Sequence, residues 1–240
     1  MLDLSAIKAS LPNPIRGLLL DLRRLAFSTM VFPRSEGNCH EFSANLHLTE
    51  AFLGDSSVAE ECRKLIQHFG IQTVIETGTN VGASTKAFAA MAPEVVSIEL
   101  HEPYLKQAKV NLRGHDNVTL MQGNSPEVLR RILPAVKKPV LFFLDAHWDK
   151  YWPIQDELRA IAENGECPRS VIVIHDFHVP DTNLRYERYY GRRLDMKLVE
   201  EAMRRINPNF GYYYNCEPSQ GRTGVVFFYP RDIQAPVSRP

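Results

Sequence analysis

Short hydrophobic runs alternate with segments of helical periodicity from about residue 55 onwards. The hydrophobic runs predict strands at Thr73–Glu76, Val95–Glu99, Val118–Met121, Val140–Asp145 and Val171–His175. The longer segments predict helices at Ala83–Met91, Pro103–Leu112, Pro126–Leu133 and Ile154–Asn164, after a first helix that Ser56 or Ser57 caps and that runs to about Phe69. This alternation predicts a parallel sheet with helices on both faces.

The rhythm changes after the fifth predicted strand. A polar, tyrosine-rich loop, Val179–Arg193, leads to a helix that Asp195 caps and that runs to about Ile206. Two further strands, Tyr212–Cys216 and Gly224–Tyr229, are joined by a short segment, and strands joined so closely must be antiparallel. The predicted fold class is therefore α/β, a Rossmann-like doubly wound seven-stranded sheet that is mostly parallel and has an antiparallel C-terminal strand pair.

The hydrophobic pattern also divides the chain into segments. Residues 1–50 combine an amphipathic helical spacing, Pro14–Ala26, with an irregular proline-containing stretch, and we expect them to form a lid or a subunit contact, for example in a homodimer. Residues 51–232 carry the regular pattern and form the predicted domain, and residues 233–240 form a C-terminal tail.

Composition adds expectations about partners. The chain has 240 residues with 28 Lys+Arg and 28 Asp+Glu, so its formal net charge is zero and gives no reason to expect a nucleic-acid partner. The basic cluster of note is Arg185, Arg188, Arg192 and Arg193, which is either a functional patch or a solvated loop. The sequence shows neither a transmembrane run nor a signal peptide, so we expect no membrane partner and a cytoplasmic location.

The most informative stretch follows the first predicted strand, where a glycine turn leads into a helix. Its spacing is G-x-x-x-G, from Gly78 to Gly82, in place of the G-x-G-x-x-G of dinucleotide-binding sites. Gly78 lets backbone approach a ligand, and Gly82 allows the helix to start close by. Polar groups at this helix N-terminus make further candidate cofactor contacts: Thr77, Thr79, Asn80 and Ser84.

Carboxylates at the strand ends distinguish between cofactors. Glu76 would repel the pyrophosphate of NAD but attract the ammonium and sulfonium groups of S-adenosylmethionine, directly or through water. Glu99, at the end of the second strand, can accept hydrogen bonds from both ribose hydroxyls. Asn124 and Ser125 follow the third strand and are expected at the adenine edge, although each acid is also compatible with a solvated strand end and Asn124-Ser125 with a helix cap.

These residues carry a family resemblance. Residues 71–176 resemble the core of class I S-adenosylmethionine-dependent methyltransferases, and the stretch from Glu76 to Gly82 is similar to their E-x-G-x-x-x-G motif. Glu99 stands at their ribose-binding position, and the closing antiparallel pair resembles the end of their seven-stranded sheet. The resemblance implies S-adenosylmethionine as cofactor and methyl transfer as activity.

A second group of polar residues follows the fourth and fifth strands. Asp145 and Asp176 resemble the aspartates that hold magnesium in catechol-type O-methyltransferases, but Phe177 stands where that family has asparagine. We therefore favour metal-independent chemistry, in which His147 is the base, Asp145 orients it, and Lys150 or a histidine supplies positive charge between Asp145 and Asp176. If a metal is present, Asp145 and Asp176 are its expected ligands, with magnesium the expected ion.

The predicted function is O-methylation of a hydroxyl on a small molecule. Asp145, His147 and Asp176 are the predicted catalytic residues, with Asp145 also a candidate cofactor contact. The loop Val179–Arg193, with Tyr186, Tyr189 and Tyr190, forms either an acceptor wall or ordinary packing. Two alternatives remain: a non-catalytic S-adenosylmethionine-binding partner subunit, and an NAD-dependent oxidoreductase, which Glu76 and the missing middle glycine disfavour.

Overall fold

The computed structural model describes residues 51–136, 139–147, 151–164, 167, 169–215 and 223–231. The segments predicted at residues 1–50 and 233–240 lie outside the described residues, so the division of the chain at those points stays a prediction. Within the described ranges, every helix is too short or too polar to cross a membrane.

A seven-stranded sheet forms the centre of the molecule. Its strands are β1 (Thr73–Thr77), β2 (Glu94–Glu99), β3 (Val118–Gln122), β4 (Val140–Leu144), β5 (Val171–Ile174), β8 (Phe210–Tyr214) and β9 (Val226–Pro230), and two short strands outside the sheet are β6 (Arg188–Tyr189) and β7 (Arg192–Arg193). The spatial order is β3-β2-β1-β4-β5-β9-β8, with β1 to β5 parallel and β9 antiparallel to both of its neighbours. The predicted fold class is confirmed. The strand predicted to start at Tyr212 starts at Phe210, because Phe210 and Gly211 already pair with β9.

Helices cover both faces of the sheet. They are α1 (Ser56–His68), α2 (Ala83–Ala89), α3 (Glu102–Asn111), α4 (Ser125–Ile132), α5 (Ile154–Asn164) and α6 (Met196–Ile206). Alternate residues of one strand enter different cores: Phe142 packs with residues of α4, α5 and α6, whereas Leu141 and Phe143 pack with residues of α1 and α2. The central strands read as continuous hydrophobic runs because both of their faces are buried.

Of the two helix caps predicted from the sequence, one is confirmed and the other is wrong. Asp195 accepts a hydrogen bond from the Leu198 backbone N–H at 3.2 Å, as predicted for the start of α6. At α1 the cap is Asp55, not Ser56 or Ser57, because Asp55 Oδ1 accepts from the Ser57 backbone N–H at 3.0 Å. Asp55 is nearly fully buried, and its Oδ1 also accepts a hydrogen bond from the Ser57 hydroxyl at 2.6 Å.

The order of the strands fixes where a ligand can bind. The chain runs outwards from β1 through β2 to β3 and then returns to the other side of β1 as β4. In open α/β sheets, ligands bind beyond the carboxyl ends of the strands at such a reversal of order. The ends of β1 and β4 lie side by side, with Thr77 in register with Leu144.

The segment predicted as the loop Val179–Arg193 contains a β-hairpin. Strands β6 and β7 pair antiparallel through a two-residue turn in which Tyr190 has φ 49° and Gly191 has φ 76°. Two positive φ values in succession are typical of a type I′ turn. The sequence did not predict this hairpin because strands of two residues are too short to show alternation.

Candidate active site

A cavity of about 340 Å³ lies at the carboxyl ends of β1 to β4. Its wall consists of residues at or after the carboxyl ends of these four strands and of residues just before α5: Gly78, Asn80, Ile98, Glu99, Leu100, Tyr104, Gly123, Asn124, Ser125, Asp145, Ala146, His147, Tyr151 and Pro153. A volume of this size is within the ordinary range for small-ligand sites. The cavity therefore opens at the reversal of strand order.

The glycine turn after β1 is shaped by protein contacts. Gly78 has φ +85°, and a Cβ there would lie 2.6 Å from the carbonyl oxygen of Asp145. Gly82 has φ +87°, and a Cβ there would lie 2.9 Å from Leu112 Cδ1, which agrees with the close helix start that the sequence predicts. Gly78 lines the cavity, but its missing side chain makes room first for the backbone after β4.

Glu76 is placed differently from the prediction. Its side chain is 1% exposed, and its Oε2 accepts hydrogen bonds from Thr85 and, at 2.6 Å, from Ser97. Burial raises the pKa of Glu76 to about 8, and the two hydroxyl donors offset only part of that rise. The carboxyl group lies behind the turn instead of on the cavity wall, because these hydroxyls and Thr79, which contacts Ser97 at 2.6 Å, form a buried network there.

Other predicted contacts also lie off the cavity wall. Thr77 is fully buried, Thr79 is 3% exposed in the Ser97 network, and Gly82 packs against α3. Ser84 Oγ accepts a hydrogen bond from the Phe52 backbone N–H at 3.2 Å. These four residues shape the turn beneath the cavity, and their contact with a cofactor stays a prediction.

Glu99 stands on the wall as the sequence predicts. Its Oε2 accepts from the Asn80 backbone N–H at 2.8 Å, and its Oε1 accepts from the His101 backbone N–H at 2.7 Å. Asn80 reaches this position with φ 50°, a conformation that Asn tolerates better than most residues. Because a carboxylate oxygen accepts more than one hydrogen bond, both oxygens of Glu99 retain capacity towards the cavity.

The third-strand loop lines the opposite part of the cavity. Asn124 occupies the N-cap position of α4 but makes no side-chain hydrogen bond to that helix. Helix capping therefore does not account for the presence of an asparagine at this position. Ser125 lines the cavity, although its hydroxyl donates to Glu157. Leu100 and Tyr104 also line the cavity, and neither was predicted from the sequence.

The ends of β4 and β5 bring together the predicted catalytic acids and a buried histidine. His175 Nδ1 lies 3.1 Å from Asp145 Oδ1 and 3.6 Å from Asp176 Oδ1, and the imidazole is almost fully buried. Burial alone would lower the pKa of His175, but the two carboxylates raise it to about 10. His175 is therefore placed to supply the positive charge that the sequence predicts from Lys150 or a histidine.

His147 has a different partner from the one predicted. Its Nδ1 lies 3.6 Å from Glu187 Oε1, whereas Asp145 faces His175. The expectation that Asp145 orients His147 is wrong, since Asp145 and His175 follow register neighbours Leu144 and Ile174. Burial raises the pKa of Glu187, the charge of His147 lowers it, and the nearby Asp176 and Asp145 raise it further. His147 is half-exposed and lines the cavity, which leaves it accessible to a second substrate.

The magnesium set of the catechol-type enzymes does not fit this site. Phe177 is fully buried, stacks on Tyr214 at 6.0 Å between ring centroids, and offers no ligand atom. His175 occupies the position of a cation beside both aspartates. Two groups nevertheless have potential ligand atoms within 4.8 Å of one another: Asp145, His175 and Asp176, and His147, Asp176 and Glu187. The imidazole in each group would favour a transition metal over magnesium. Metal-independent chemistry stays a prediction, which undiminished activity in EDTA would support.

A buried acid beside the site was also not predicted from the sequence. Glu157 is fully buried, its Oε1 accepts from Ser125, and within the described part of the chain its Oε2 has no hydrogen-bond partner. Burial raises the pKa of Glu157 to about 7, and the hydrogen bond from Ser125 offsets only part of that rise. The sequence indicates this burial, because Glu157 stands three residues after Ile154 and beside Leu158, on the apolar face of α5.

Comparisons with known proteins cover parts of the chain. No family model matches it. The chain is 35% identical over 91 residues to ribosomal RNA small subunit methyltransferase A of Clostridium botulinum strain Loch Maree, a match that covers 38% of this chain and 33% of the relative. It is 31% identical over 77 residues to the protein of the same name from Moorella thermoacetica, covering 32% and 27%. The chain thus matches about a third of the length of these relatives.

The relatives' names correct one expectation. The exclusion of nucleic-acid partners was wrong, because these partial matches are to proteins named for ribosomal RNA. A balanced net charge averages over the whole surface, so it cannot exclude a local basic patch.

A solved structure matches the fold over more of the chain. The structure of a candidate caffeoyl-CoA O-methyltransferase from Staphylococcus aureus superposes with a TM-score of 0.51 at 16% identity, covering 73% of this chain and 84% of that one. The strand order, the reversed β9 and the cavity at the β1–β4 reversal agree with that fold. The chain therefore has the fold of the class I S-adenosylmethionine-dependent methyltransferases.

Proposed function

We propose that the protein binds S-adenosylmethionine in the 340 Å³ cavity and transfers its methyl group to an acceptor hydroxyl. The observation that carries the proposal is the charge of the cavity wall. Glu99 and Asp145 line it, and no lysine or arginine of the described chain does. A wall of this sign favours a cofactor that carries ammonium and sulfonium groups, and it disfavours the pyrophosphate of NAD.

The residues on the wall suggest an orientation for the cofactor. Glu99 would accept hydrogen bonds from the ribose hydroxyls, because it lines the cavity and the Asn80 and His101 backbone N–H groups fix its carboxylate. Asn124 and Tyr104 would border the adenine. Asp145 would face the positively charged end, since it lies at the end of β4 and borders both the cavity and the His147 site.

His147 is the residue best placed to act on the acceptor. When bound, S-adenosylmethionine supplies a methyl group on a positively charged sulfur. The acceptor oxygen must lie in line with the S–CH3 bond, and His147 would take the hydroxyl proton as that oxygen attacks. Glu187 would orient His147 and stabilise its protonated form, while His175 and Asp176 hold Asp145 in position. The non-catalytic alternative gives no reason for an accessible imidazole beside the cavity.

The kind of acceptor rests on separate observations. The sequence predicts a hydroxyl of a small molecule as the acceptor, whereas the relatives' names point to ribosomal RNA. A hydroxyl is common to both, and a histidine base suits its deprotonation near neutral pH.

Ligand-induced stabilisation tests the cofactor directly. S-adenosylhomocysteine should raise the melting temperature of the protein, and NAD should leave it unchanged. In calorimetry, Glu99→Ala should weaken S-adenosylhomocysteine binding by about 1–3 kcal/mol, because the ribose loses charge-assisted hydrogen bonds. Glu102→Ala is the matched control, since Glu102 is an exposed acid of α3 that pairs with Lys106 at 2.8 Å. Stabilisation by NAD alone would reject the methyltransferase assignment.

A further inference from the structure

A short basic hairpin projects beside the candidate active site. We define it as the arginine hairpin, residues 185–193, which contains β6, the Tyr190-Gly191 turn and β7. Four of its residues are exposed arginines: Arg185, Arg188, Arg192 and Arg193. Glu187 is its single acid, and that carboxylate faces His147. The outer surface of the hairpin is therefore strongly positive although the whole chain has no net charge.

The pairing of the two strands puts like charges opposite each other. Arg188 pairs with Arg193 across the hairpin, and like charges directly opposite are unfavourable in an antiparallel pair. Partial compensation exists, because Arg188 lies over the Tyr186 ring at 5.1 Å and Arg193 lies 3.4 Å from Asp195. No acidic side chain pairs with Arg192 within the described part of the chain. An anionic ligand on this surface would relieve the remaining repulsion.

Aromatic rings run from the candidate active site to the tip of the hairpin. Trp152 borders the His147 site and stacks on Tyr189, with centroids 5.3 Å apart and planes 15° apart. Tyr189 in turn contacts Tyr190 edge-on at 6.2 Å. Tyr190 is 83% exposed at a left-handed turn position where a bulky residue is unusual. Trp152 and Tyr189 are partly buried, so Tyr190 is the exposed ring of the three. Accessible aromatic rings beside arginines are the typical combination for stacking unpaired nucleobases.

The base of the hairpin is anchored in the site. The Glu187 backbone N–H donates to the Asp176 carbonyl at 2.8 Å, and the Leu194 backbone N–H donates to the Glu187 carbonyl at 3.1 Å. Glu187, Leu194, Trp152 and His147 border one small pocket. A molecule held on the hairpin would therefore extend directly to His147.

We infer that the arginine hairpin docks single-stranded RNA and presents one ribose hydroxyl to His147. The inference rests on the proposed function, because it assigns the acceptor of that site. The acids around His147 would repel a phosphate but admit a neutral hydroxyl, whereas the arginines outside would bind the neighbouring phosphates. The rings Trp152, Tyr189 and Tyr190 would stack the adjoining bases. RNA fits better than DNA because its 2′-hydroxyl offers an acceptor beside each phosphate.

Binding of a fluorescein-labelled 12-nucleotide single-stranded RNA, followed by anisotropy at several salt concentrations, tests the inference. The Arg188→Ala/Arg193→Ala variant should bind about tenfold or more weakly than wild type. The slope of log K against log salt should fall by about 1.4, at about 0.7 for each lost phosphate contact. The control, Arg204→Ala/Arg205→Ala, changes net charge equally, but its arginines lie on α6 and pair with Glu200 at 2.7 Å and Glu201 at 2.6 Å. It should bind as wild type does.

A tip variant separates stacking from charge. Tyr190→Asn keeps a residue that tolerates the left-handed turn position, so the hairpin stays formed. It should weaken RNA binding several-fold and leave heparin binding unchanged. Any of four results would overturn the inference. Three are no RNA binding by wild type, equal loss in the α6 control, and competition by polyglutamate as effective as by RNA, which would indicate an acidic protein partner. DNA of the same sequence binding more tightly than RNA would also overturn it.

The two proposals can fail separately. Melting shifts with S-adenosylhomocysteine are measured in the same samples. An absent shift in wild type rejects the proposed function whatever the RNA result. A normal shift without RNA binding rejects the RNA inference alone.

Discussion

The acidic side chains in the two halves of the candidate site have different kinds of partner. At the ends of β1 and β2, neutral groups hold the carboxyls: Glu76 faces two hydroxyls, and Glu99 faces two backbone amides. At the ends of β4 and β5, the carboxylates face imidazoles, with His175 beside Asp145 and Asp176, and His147 beside Glu187.

The difference has a physical consequence. Neutral hydrogen-bond donors fix a carboxyl group without depending on the charge of any neighbour, so the cofactor half should tolerate isosteric Glu→Gln changes at buried positions. A cluster of charges in a low-dielectric surrounding depends on every member, because removal of one leaves its partners unpaired. The acceptor half should therefore respond to single substitutions much more strongly.

The largest expected effect is on turnover. His147→Ala should lower the rate of methyl transfer by about 10²–10⁴-fold, because it removes the general base, and should leave S-adenosylhomocysteine affinity nearly unchanged. Transfer of label from methyl-labelled S-adenosylmethionine measures the rate. His68→Ala, an exposed histidine of α1 that borders neither cavity, is the control. A variant that keeps wild-type turnover would exclude His147 as the base.

The next effect is on stability. His175→Ala should lower the free energy of unfolding by about 3–5 kcal/mol, because Asp145 and Asp176 are left facing each other without a cation. Denaturant unfolding measures the change. The double variant His175→Gln/Asp176→Asn should recover part of it, since Asn suits the φ of 55° at position 176. A loss below about 1 kcal/mol in His175→Ala would contradict a charged His175.

A smaller effect sharpens the contrast through pH. Burial raises the pKa of Glu76 from 4.5 to about 8, so between these values the folded state holds a proton that the unfolded state has released. The contribution of Glu76 to stability therefore falls as pH rises through that window, by up to about 1.4 kcal/mol per pH unit. Glu76→Gln should flatten this part of the pH dependence in thermal unfolding and keep S-adenosylhomocysteine affinity.

The companion group titrates in a different window. The raised pKa of His175 stabilises the fold fully below pH 6.5, and this contribution is lost as pH rises towards about 10. The difference between wild type and Glu76→Gln isolates Glu76, because His175 is common to both. An unchanged slope between pH 4.5 and 6.5 in Glu76→Gln would show that Glu76 is not the group responsible.

Sequence periodicity accounts for the fold because its elements are local. Strands buried on both faces appear as continuous hydrophobic runs, and the tight C-terminal connection requires an antiparallel pair. The position of the cavity follows from the order of strands and helices, since the carboxyl ends of parallel strands share one edge of the sheet. Glu99 and Asn124 could therefore be predicted on its wall.

Side-chain partners were harder to predict because they depend on register and on distant segments. Asp145 and His175 were predicted as the last residues of adjacent strands, so their contact was accessible in principle, yet His147 lay closer in sequence and was preferred. Glu187 comes from a segment without periodicity, and only the hairpin brings it to His147. Glu76 resembles a ligand-binding residue in sequence, but the hydroxyls of Ser97 and Thr85 occupy its carboxyl group.

A crystal structure of the protein with S-adenosylhomocysteine would test the assignment of the cofactor cavity most directly. We expect the ligand in the cavity at the ends of β1 to β4, with both ribose hydroxyls within hydrogen-bond distance of Glu99. Glu76 should still be bonded to Ser97 and Thr85. The sulfur of the ligand should lie on the side of Asp145 and His147. A ligand bound elsewhere, or a ribose turned away from Glu99, would contradict the assignment of this cavity.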